Sequence, residues 1–436
     1  MKIKNICALA GIFFAAFNLF ADFKDWAKTP PMGWNSWDCY GPTLCESEVK
    51  ANADFMAKHL RPFGWEYVVV DIRWYVENTT AGGYNQKDPK YVIDKWGRYM
   101  PAENRFPSAK GGRGFKPLAD YVHSKGLKFG IHIMRGVPKI AVLNKMPIKG
   151  ANGITADAIA SDNTLCRWLG DNKTIENKEG AQEYYDSIIS MYAAWGVDFL
   201  KIDDLSNPYH KGEIEMIRRA IDKCGRKIVF SMSPGETPIA EAAHAKSHAN
   251  MWRIVPDLWD EWGHVKNLMD AAARWVEHAG EGAYPDCDML PLGRIGIRAE
   301  RGGDRNSRLS KDEQYSLMNL MVICKSPLMF GGDLPSCDAF TLELLTNKAV
   351  LEIHKKFKSP RALKNSGEIL IVASAGKTGK KHSAAIFNKT DKPLRVEISE
   401  EIFPAGAKIA DVWSGEILKE RFVELAPHAS RLLNEK

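Results

Sequence analysis

Three stretches of the chain close an apolar run with charged side chains. "VVVDIRWY" places Asp71 after three valines, "WGVDFLKIDD" ends in Lys201, Asp203 and Asp204, and "WRIVPD" carries Arg253 and Asp257. A charge at the end of an apolar strand is costly unless something uses it. Any one of these aspartates reads equally well as a loop cap or a structural ion pair. Several together, with a lysine and an arginine, point to a shared site. Two carboxylates facing each other across a cleft suit glycosidic bond cleavage, one attacking the anomeric carbon while the other protonates the leaving oxygen. A gap of about 5–5.5 Å gives net retention, and a wider one admits a water and gives inversion. Lys201 precedes Asp203 by two residues and so shares its side of a strand, which favours Asp203 as the group that stays ionised. Asp257 follows Pro256 at a strand exit, where a short side chain could protonate a leaving group. The residues alone leave this division of roles open.

The elements that must position these groups are legible as short apolar runs alternating with helix-like segments. Strands are expected at 32–37, 66–74, 128–134, 197–204, 227–233, 251–257, weakly near 289–292, and at 327–333. Between them, segments such as "KGEIEMIRRAIDKCG" carry apolar residues at helical spacing and stop at a glycine, here Gly225. Continuous apolar strands alternating with helices mean a parallel sheet covered on both faces. Eight such units predict an α/β fold, a (β/α)₈ TIM barrel, whose sites lie at the carboxyl ends of the strands, where the charges are. No GxGxxG or P-loop follows any strand, which weighs against nucleotide binding. Beyond the barrel, alternating segments such as "GEILIVASAG" and "LRVEISE", separated by Gly, Pro, Asn and Asp, predict a C-terminal antiparallel β-sandwich. The join is expected within 350–362, dividing a catalytic barrel (22–350) from the sandwich (351–436).

A length of 436 residues suits two folded units. The net charge of +6 is spread along the chain without a basic run, which argues against a nucleic-acid partner. Thirteen Trp and thirteen Tyr offer flat surfaces on which sugar rings stack, although aromatics more often fill cores. Lys2, Lys4 and the apolar "ICALAGIFFAAFNLFA" predict a signal peptide over 1–21 and hence export to the periplasm, the cell surface or the medium. Leu19 is larger than the usual residue before such a cleavage site, but the run is short for a lasting anchor. No other segment reads as a membrane span. Removing that segment removes Cys7 and leaves seven of eight cysteines, an odd number without CxxC, so neither a full disulfide framework nor a zinc ribbon is indicated. Cys39 and Cys45 read either as a local bridge or as buried thiols. A metal-dependent hydrolase needs histidines and carboxylates at ligand spacing. There is no HxH or HExxH, and His132 and His210 are isolated, so no metal and no cofactor is expected.

In chain order, "TPPMGWNSWDCYG" (29–41), "VVVDIRWY", "GLKFGIH" (126–132), "WGVDFLKIDD", "WRIVPD" and "KSPLMFGGDL" (325–334) resemble the motifs of the α-galactosidase (melibiase) family, glycoside hydrolase family 27. The resemblance covers nearly the whole mature chain. It implies a retaining, metal-free exo-glycosidase acting on terminal galactosyl or arabinopyranosyl groups of an oligo- or polysaccharide. It implies Asp203 as nucleophile, Asp257 as acid/base, Lys201 and Arg253 on ring hydroxyls, Trp37 against the sugar, and Asp71 on the 4-position side. The family's second strand usually ends in two acids that hold the 4- and 6-hydroxyls of galactose, but here the second is Ile72. β-L-Arabinopyranose is galactopyranose without the exocyclic CH₂OH, and the family includes β-L-arabinopyranosidases, so Ile72 suits that sugar. Alternatively the galactose 6-hydroxyl finds another partner and galactosidase activity persists. A family disulfide behind the nucleophile is absent, since Leu205 stands in its place. Ser231 and Ser233 stand where some members place a larger residue reading the 2-position. A small Ser233 would admit a 2-acetamido group, which makes α-N-acetylgalactosaminidase an alternative. His132 and Arg135 are expected to line the site, with a structural role as the alternative for either, and Asp286 and Asp288 to brace it. A non-catalytic carbohydrate-binding protein is a further alternative, against which the retained carboxylates argue. A homo-oligomer is compatible with this composition.

Overall fold

The computed structural model describes residues 22–376 and 381–436. The expected signal peptide, 1–21, lies outside the described residues. Nine short strands form one parallel sheet: β1 Met32–Asn35, β2 Tyr67–Val70, β3 Lys128–Met134, β4 Phe199–Asp203, β5 Val229–Met232, β6 Met251–Arg253, β7 Tyr284–Asp286, β8 Met289–Leu290 and β9 Leu328–Phe330. They fill eight barrel positions, because β7 and β8 are two pieces of one strand. The first pairs with β6 and the second with β9, which closes the barrel. The break falls at Cys287–Asp288, where Asp288 has φ of +76°, a left-handed backbone that cannot continue a strand. The weak strand expected near 289–292 is therefore the second half of this element, and "YPD" is the first.

Helices follow the strands and cover them: α1 Glu46–His59, α2 Lys116–Ser124, α3 Ala181–Trp195, α4 Lys211–Lys223, α5 Ala242–His248, α6 Trp262–Trp275, α7 Lys311–Ile323 and α8 Lys348–Lys356. On α4 the buried Ile214, Ile217 and Ile221 recur three and four residues apart, which forms one apolar face against the barrel. At the start of α7, Ser310 and Glu313 cap each other's backbone amides.

Strand alternation divides the side chains into two sets. Tyr67, Val69, Phe199, Val229, Met251, Tyr284 and Met329 point inward and form the barrel's own apolar cluster. Val68, Val70, Phe129, Ile131, Leu200, Ile202 and Phe230 point outward into the larger cluster beneath the helices. Each such aliphatic side chain, fully buried, contributes about 1.5–3 kcal/mol of transfer free energy. The same period of two carries the inward set upward from 67 and 69 to Asp71, from 199 to Lys201 and Asp203, from 229 to Ser231 and Ser233, and from 251 to Arg253. The barrel thus has an apolar floor and a polar rim. Gly33 permits the crowding at the floor, since a Cβ there would lie 2.4 Å from the Tyr67 carbonyl oxygen.

The sandwich follows directly. Helix α8 runs to Lys356 and the first sandwich strand opens at Lys358. Its strands are β10 Lys358–Asn365, β11 Ile369–Ala375, β12 His382–Asn388, β13 Leu394–Glu397, β14 Ile409–Asp411, β15 Phe422–Leu425 and β16 Ser430–Glu435. The larger antiparallel sheet has the order β10-β11-β12-β16-β14, and β13 pairs with β15 in a second sheet. Ile369, Ile371, Ile386, Val423, Leu425 and Leu433 fill the space between them. The opposite face, with Leu370, Val372, Phe387 and Leu432, joins the core of the barrel's helices. At that junction Trp413 Nε1 donates to Asn319 Oδ1 at 2.8 Å, and Asn319 Nδ2 donates to Ser430 Oγ at 2.9 Å. The seven described cysteines are free thiols, so Cys39 and Cys45 do not bridge. Among the described residues no helix is long and apolar enough to cross a membrane.

Candidate active site

The polar ends of the strands meet in one pocket at the carboxyl mouth of the barrel. Nine of the residues expected at the site line it: Asp203, Asp257, Trp37, Asp71, Ile72, His132, Lys201, Ser233 and Arg253. His132 stands opposite Lys201 in the β3–β4 register. His132 Nδ1 lies 2.6 Å from Asp71 Oδ1, and the Ile72 amide donates to the same oxygen at 2.8 Å. Lys201 Nζ is 3.7 Å from the other Asp71 oxygen, and His132 Nε2 is 3.8 Å from Asp203 Oδ2. Across the pocket, Arg253 Nη1 is 2.8 Å from Asp288 Oδ1, and its Nη2 donates to Asp257 Oδ1 at 3.2 Å. Asp288 Oδ2 accepts from the Leu258 amide at 2.7 Å, which fixes the loop that carries Asp257. Asp203 is buried, whereas the Asp257 side chain is 38% exposed at the mouth.

Burial and charge pull these groups in different directions. Burial opposes ionisation of Asp71, but the charges of His132 and Lys201 and two hydrogen bonds hold its carboxyl well below the usual range. Burial also disfavours charge on Lys201, yet Asp71 and Asp288 outweigh it and keep the ammonium protonated. Asp203 is pushed up by burial and by Asp257 and Asp71, against the pull of His132 and Lys201. Asp286 is pushed up to about 6 by burial, with Arg253 opposing. Carboxylates held apart in this way mark sites of acid–base work. Asp71 Oδ2, His132 Nε2, Asp203 Oδ1, Arg253 Nε and Trp259 Nε1 are buried without a hydrogen-bond partner among the described residues. Leaving such atoms unpaired costs about 1–3 kcal/mol each, and a polyhydroxylated ligand supplies what they lack.

The walls are aromatic and apolar. Trp37 stacks on Tyr84 with ring centroids 5.3 Å apart and planes 19° from parallel. The Tyr84 hydroxyl donates to Glu300 Oε2 at 3.0 Å. Arg73 braces the loop that carries Tyr84, since its Nη1 donates to the Tyr84 carbonyl oxygen while its Nε and Nη2 grip both Asp171 oxygens, at 3.1 and 3.2 Å. Tyr75 and Tyr91 donate to the same carboxylate at 2.8 and 2.6 Å. Ile72 is 2% exposed and packs in one apolar cluster with Trp37, Trp259 and Met289. A hydrocarbon wall therefore stands directly beside Asp71.

Some lining residues escaped sequence reasoning, and some expectations need correction. Asp38, Tyr84, Leu258, Trp259 and Met289 also line the pocket. Asp38 adjoins Trp37 in the sequence, and Leu258 and Trp259 directly follow Asp257, so adjacency was their signal. Tyr84 had none. Gly331 is required beside Asp38, because a Cβ there would sit 2.0 Å from Asp38 Oδ2. Arg135 does not line the pocket. Positions 130, 132 and 134 of β3 face inward, so 135 turns away, and Arg135 reaches Asp204 and Glu213, each at 2.8 Å. Asp288 lines the pocket, while Asp286 sits behind it and accepts from the Asp288 amide at 3.0 Å.

A closed barrel with carboxylates and cations at its carboxyl rim, walled by stacked aromatics, suits a glycoside hydrolase. The family model for α-galactosidase A matches residues 29–144 and 169–356. The chain belongs to that family, the melibiases of glycoside hydrolase family 27. Among solved structures, a GH27 β-L-arabinopyranosidase from Geobacillus stearothermophilus is 47% identical and superposes with a TM-score of 0.92, covering 95% of this chain and 98% of that one. An α-galactosidase from Oryza sativa subsp. japonica is 28% identical over 334 residues, 75% of this chain and 64% of the rice protein. An α-N-acetylgalactosaminidase from Gallus gallus is 27% identical over 430 residues, 90% of this chain and 88% of that protein.

Proposed function

We propose that the chain is a retaining exo-glycosidase that removes terminal β-L-arabinopyranosyl groups by double displacement and takes the isosteric α-D-galactopyranosides less well. Asp203 is the nucleophile, buried beside His132 and Lys201, whose charges favour its ionised form. Asp257 is the acid/base, placed at the mouth where a leaving group departs and oriented by Arg253. In the first step Asp203 attacks the anomeric carbon while Asp257 protonates the glycosidic oxygen. In the second, Asp257 takes a proton from the water that releases the sugar. Asp71, His132, Lys201 and Arg253 meet ring hydroxyls, and Trp37, backed by Tyr84, covers the sugar face.

The observation that carries the substrate is Ile72. A galactose 6-hydroxyl held against that side chain would lose its water without gaining a partner, at about 1–3 kcal/mol, or roughly ten- to a hundredfold in specificity. A pyranose that ends at C5 meets no such penalty. The 47% identity to a β-L-arabinopyranosidase supports the same reading. Ser233 favours a second reading, α-N-acetylgalactosaminidase, because a small side chain lines the pocket there. Turnover of p-nitrophenyl α-N-acetylgalactosaminide would reveal it.

Proton NMR of arabinose released from p-nitrophenyl β-L-arabinopyranoside tests the mechanism. The β anomer is expected first, and first release of the α anomer would overturn retention. Asp203→Asn should abolish turnover, with azide restoring it as a glycosyl azide of inverted configuration. Asp257→Asn should cost about 10²–10⁴-fold. The basic and apolar run over residues 2–21 supports export, which fractionation of the producing cells would test.

A further inference from the structure

Outside the pocket, one group of metal-ligating side chains converges among the described residues: Glu215 on α4 with His244 and His248 on α5. The histidines are four residues apart, one helical turn, so a single face of α5 presents both. Helix α4 packs beside α5 and brings Glu215 across to them. One ligand atom from each residue lies within 4.8 Å of the other two. Hydrogen bonds already orient both rings. His248 Nδ1 lies 2.9 Å from both the His244 carbonyl oxygen and the Ser247 hydroxyl, and in the tautomer that donates to the carbonyl its Nε2 keeps a free lone pair. His244 Nδ1 lies 2.7 Å from the Tyr209 hydroxyl, and its Nε2 lies 3.4 Å from Glu215 Oε1, a carboxylate oxygen that only accepts, so an ion bound between them takes the place of the Nε2 proton. The other Glu215 oxygen is 4.0 Å from Arg219.

We propose that Glu215, His244 and His248 bind a divalent transition-metal ion of the zinc class, with a fourth position open to water. Two imidazoles and one carboxylate suit zinc and exclude a preference for magnesium or calcium, which take oxygen ligands. Zinc bonds of about 2.0–2.2 Å draw the three ligand atoms together, through rotation of side chains that are only partly buried. Tyr209 acts as a positioning residue that holds the His244 ring. The ion clips α4 to α5, the helices that follow the strand of Asp203 and the strand of Ser233. The hydrolytic chemistry does not pass through it.

Equilibrium dialysis of the untagged, EDTA-treated full chain against zinc chloride, with magnesium chloride as control, tests the proposal at neutral pH. One zinc per chain is expected, with no magnesium retained. His248→Gln and Glu215→Gln should each weaken zinc binding by at least about tenfold, and Tyr209→Phe by about 10–100-fold, with glycosidase activity retained as proof of folding. Absence of zinc binding, or equal stoichiometry and affinity in His248→Gln and Glu215→Gln, would overturn it. Should one variant fail to fold, the affinity of the other decides between these outcomes.

Discussion

His132 Nδ1 lies 2.6 Å from Asp71 Oδ1 inside the barrel, where neither side chain is more than 4% exposed. That contact, with Lys201 at 3.7 Å, holds Asp71 as a carboxylate at the pocket floor. Asp71→Asn removes the negative charge and deprives the buried Lys201 ammonium of a counter-ion. Removing one member of a buried pair typically costs about 3–5 kcal/mol, so the variant should unfold at lower urea concentration. Its kcat/KM should fall roughly ten- to a hundredfold, since a charge-assisted bond to a hydroxyl is worth about 1.5–3 kcal/mol. Folding lowers the Asp71 pKa. Its contribution is therefore full above the unfolded value of about 3.9 and is lost as pH falls through the folded value. Unchanged stability of the variant at neutral pH would show that Asp71 is not a counter-ion.

With Asp203 as the proposed nucleophile, its ionisation should set the acid limit of the reaction. Burial and the neighbouring Asp257 and Asp71 raise its pKa, and a nucleophile must be ionised to attack. As pH falls through that raised value, kcat/KM should decline, at a pH above the ordinary aspartate value of about 3.9. Lys201→Met removes an ammonium that opposes the rise, so it should move the acid limb further up. A limb that moves down in this variant would contradict the assignment.

Asp171 supports the site from a distance. It pairs with Arg73 through two hydrogen bonds while both are buried, and it also holds Tyr75 and Tyr91. Asp171→Asn should destabilise the fold by about 3–5 kcal/mol and loosen the segment that carries Tyr84. With Trp37 then lacking its stacking partner, KM should rise more than kcat falls. An unchanged KM would show that the segment does not shape the pocket.

Much of this arrangement was legible in the sequence, because a buried parallel strand is a bare apolar run and a functional charge at its end stands out. Asp71, Lys201, Asp203 and Arg253 were found in that way, since strand alternation alone aims them inward. Arg135 takes the structural alternative, because the same alternation turns the residue after Met134 away from the pocket. The seventh strand was only half seen, as Asp288 breaks it into pieces too short to show a pattern. Tyr84 lay beyond reach. Its position depends on the Arg73–Asp171 pair, whose members are 98 residues apart and meet only in the folded chain. The His244 and His248 pair was visible as a one-turn spacing, but its third partner comes from another helix.

The central claim is that Ile72 shapes the pocket for a pyranose that ends at C5. The measurement that tests it most directly is the ratio of kcat/KM for p-nitrophenyl β-L-arabinopyranoside to that for p-nitrophenyl α-D-galactopyranoside, in the native enzyme and in Ile72→Asp. The native ratio should favour the arabinoside by about ten- to a hundredfold, and Ile72→Asp should shift it toward the galactoside by a similar factor. A native ratio at or below one, unmoved by Ile72→Asp, would contradict the claim.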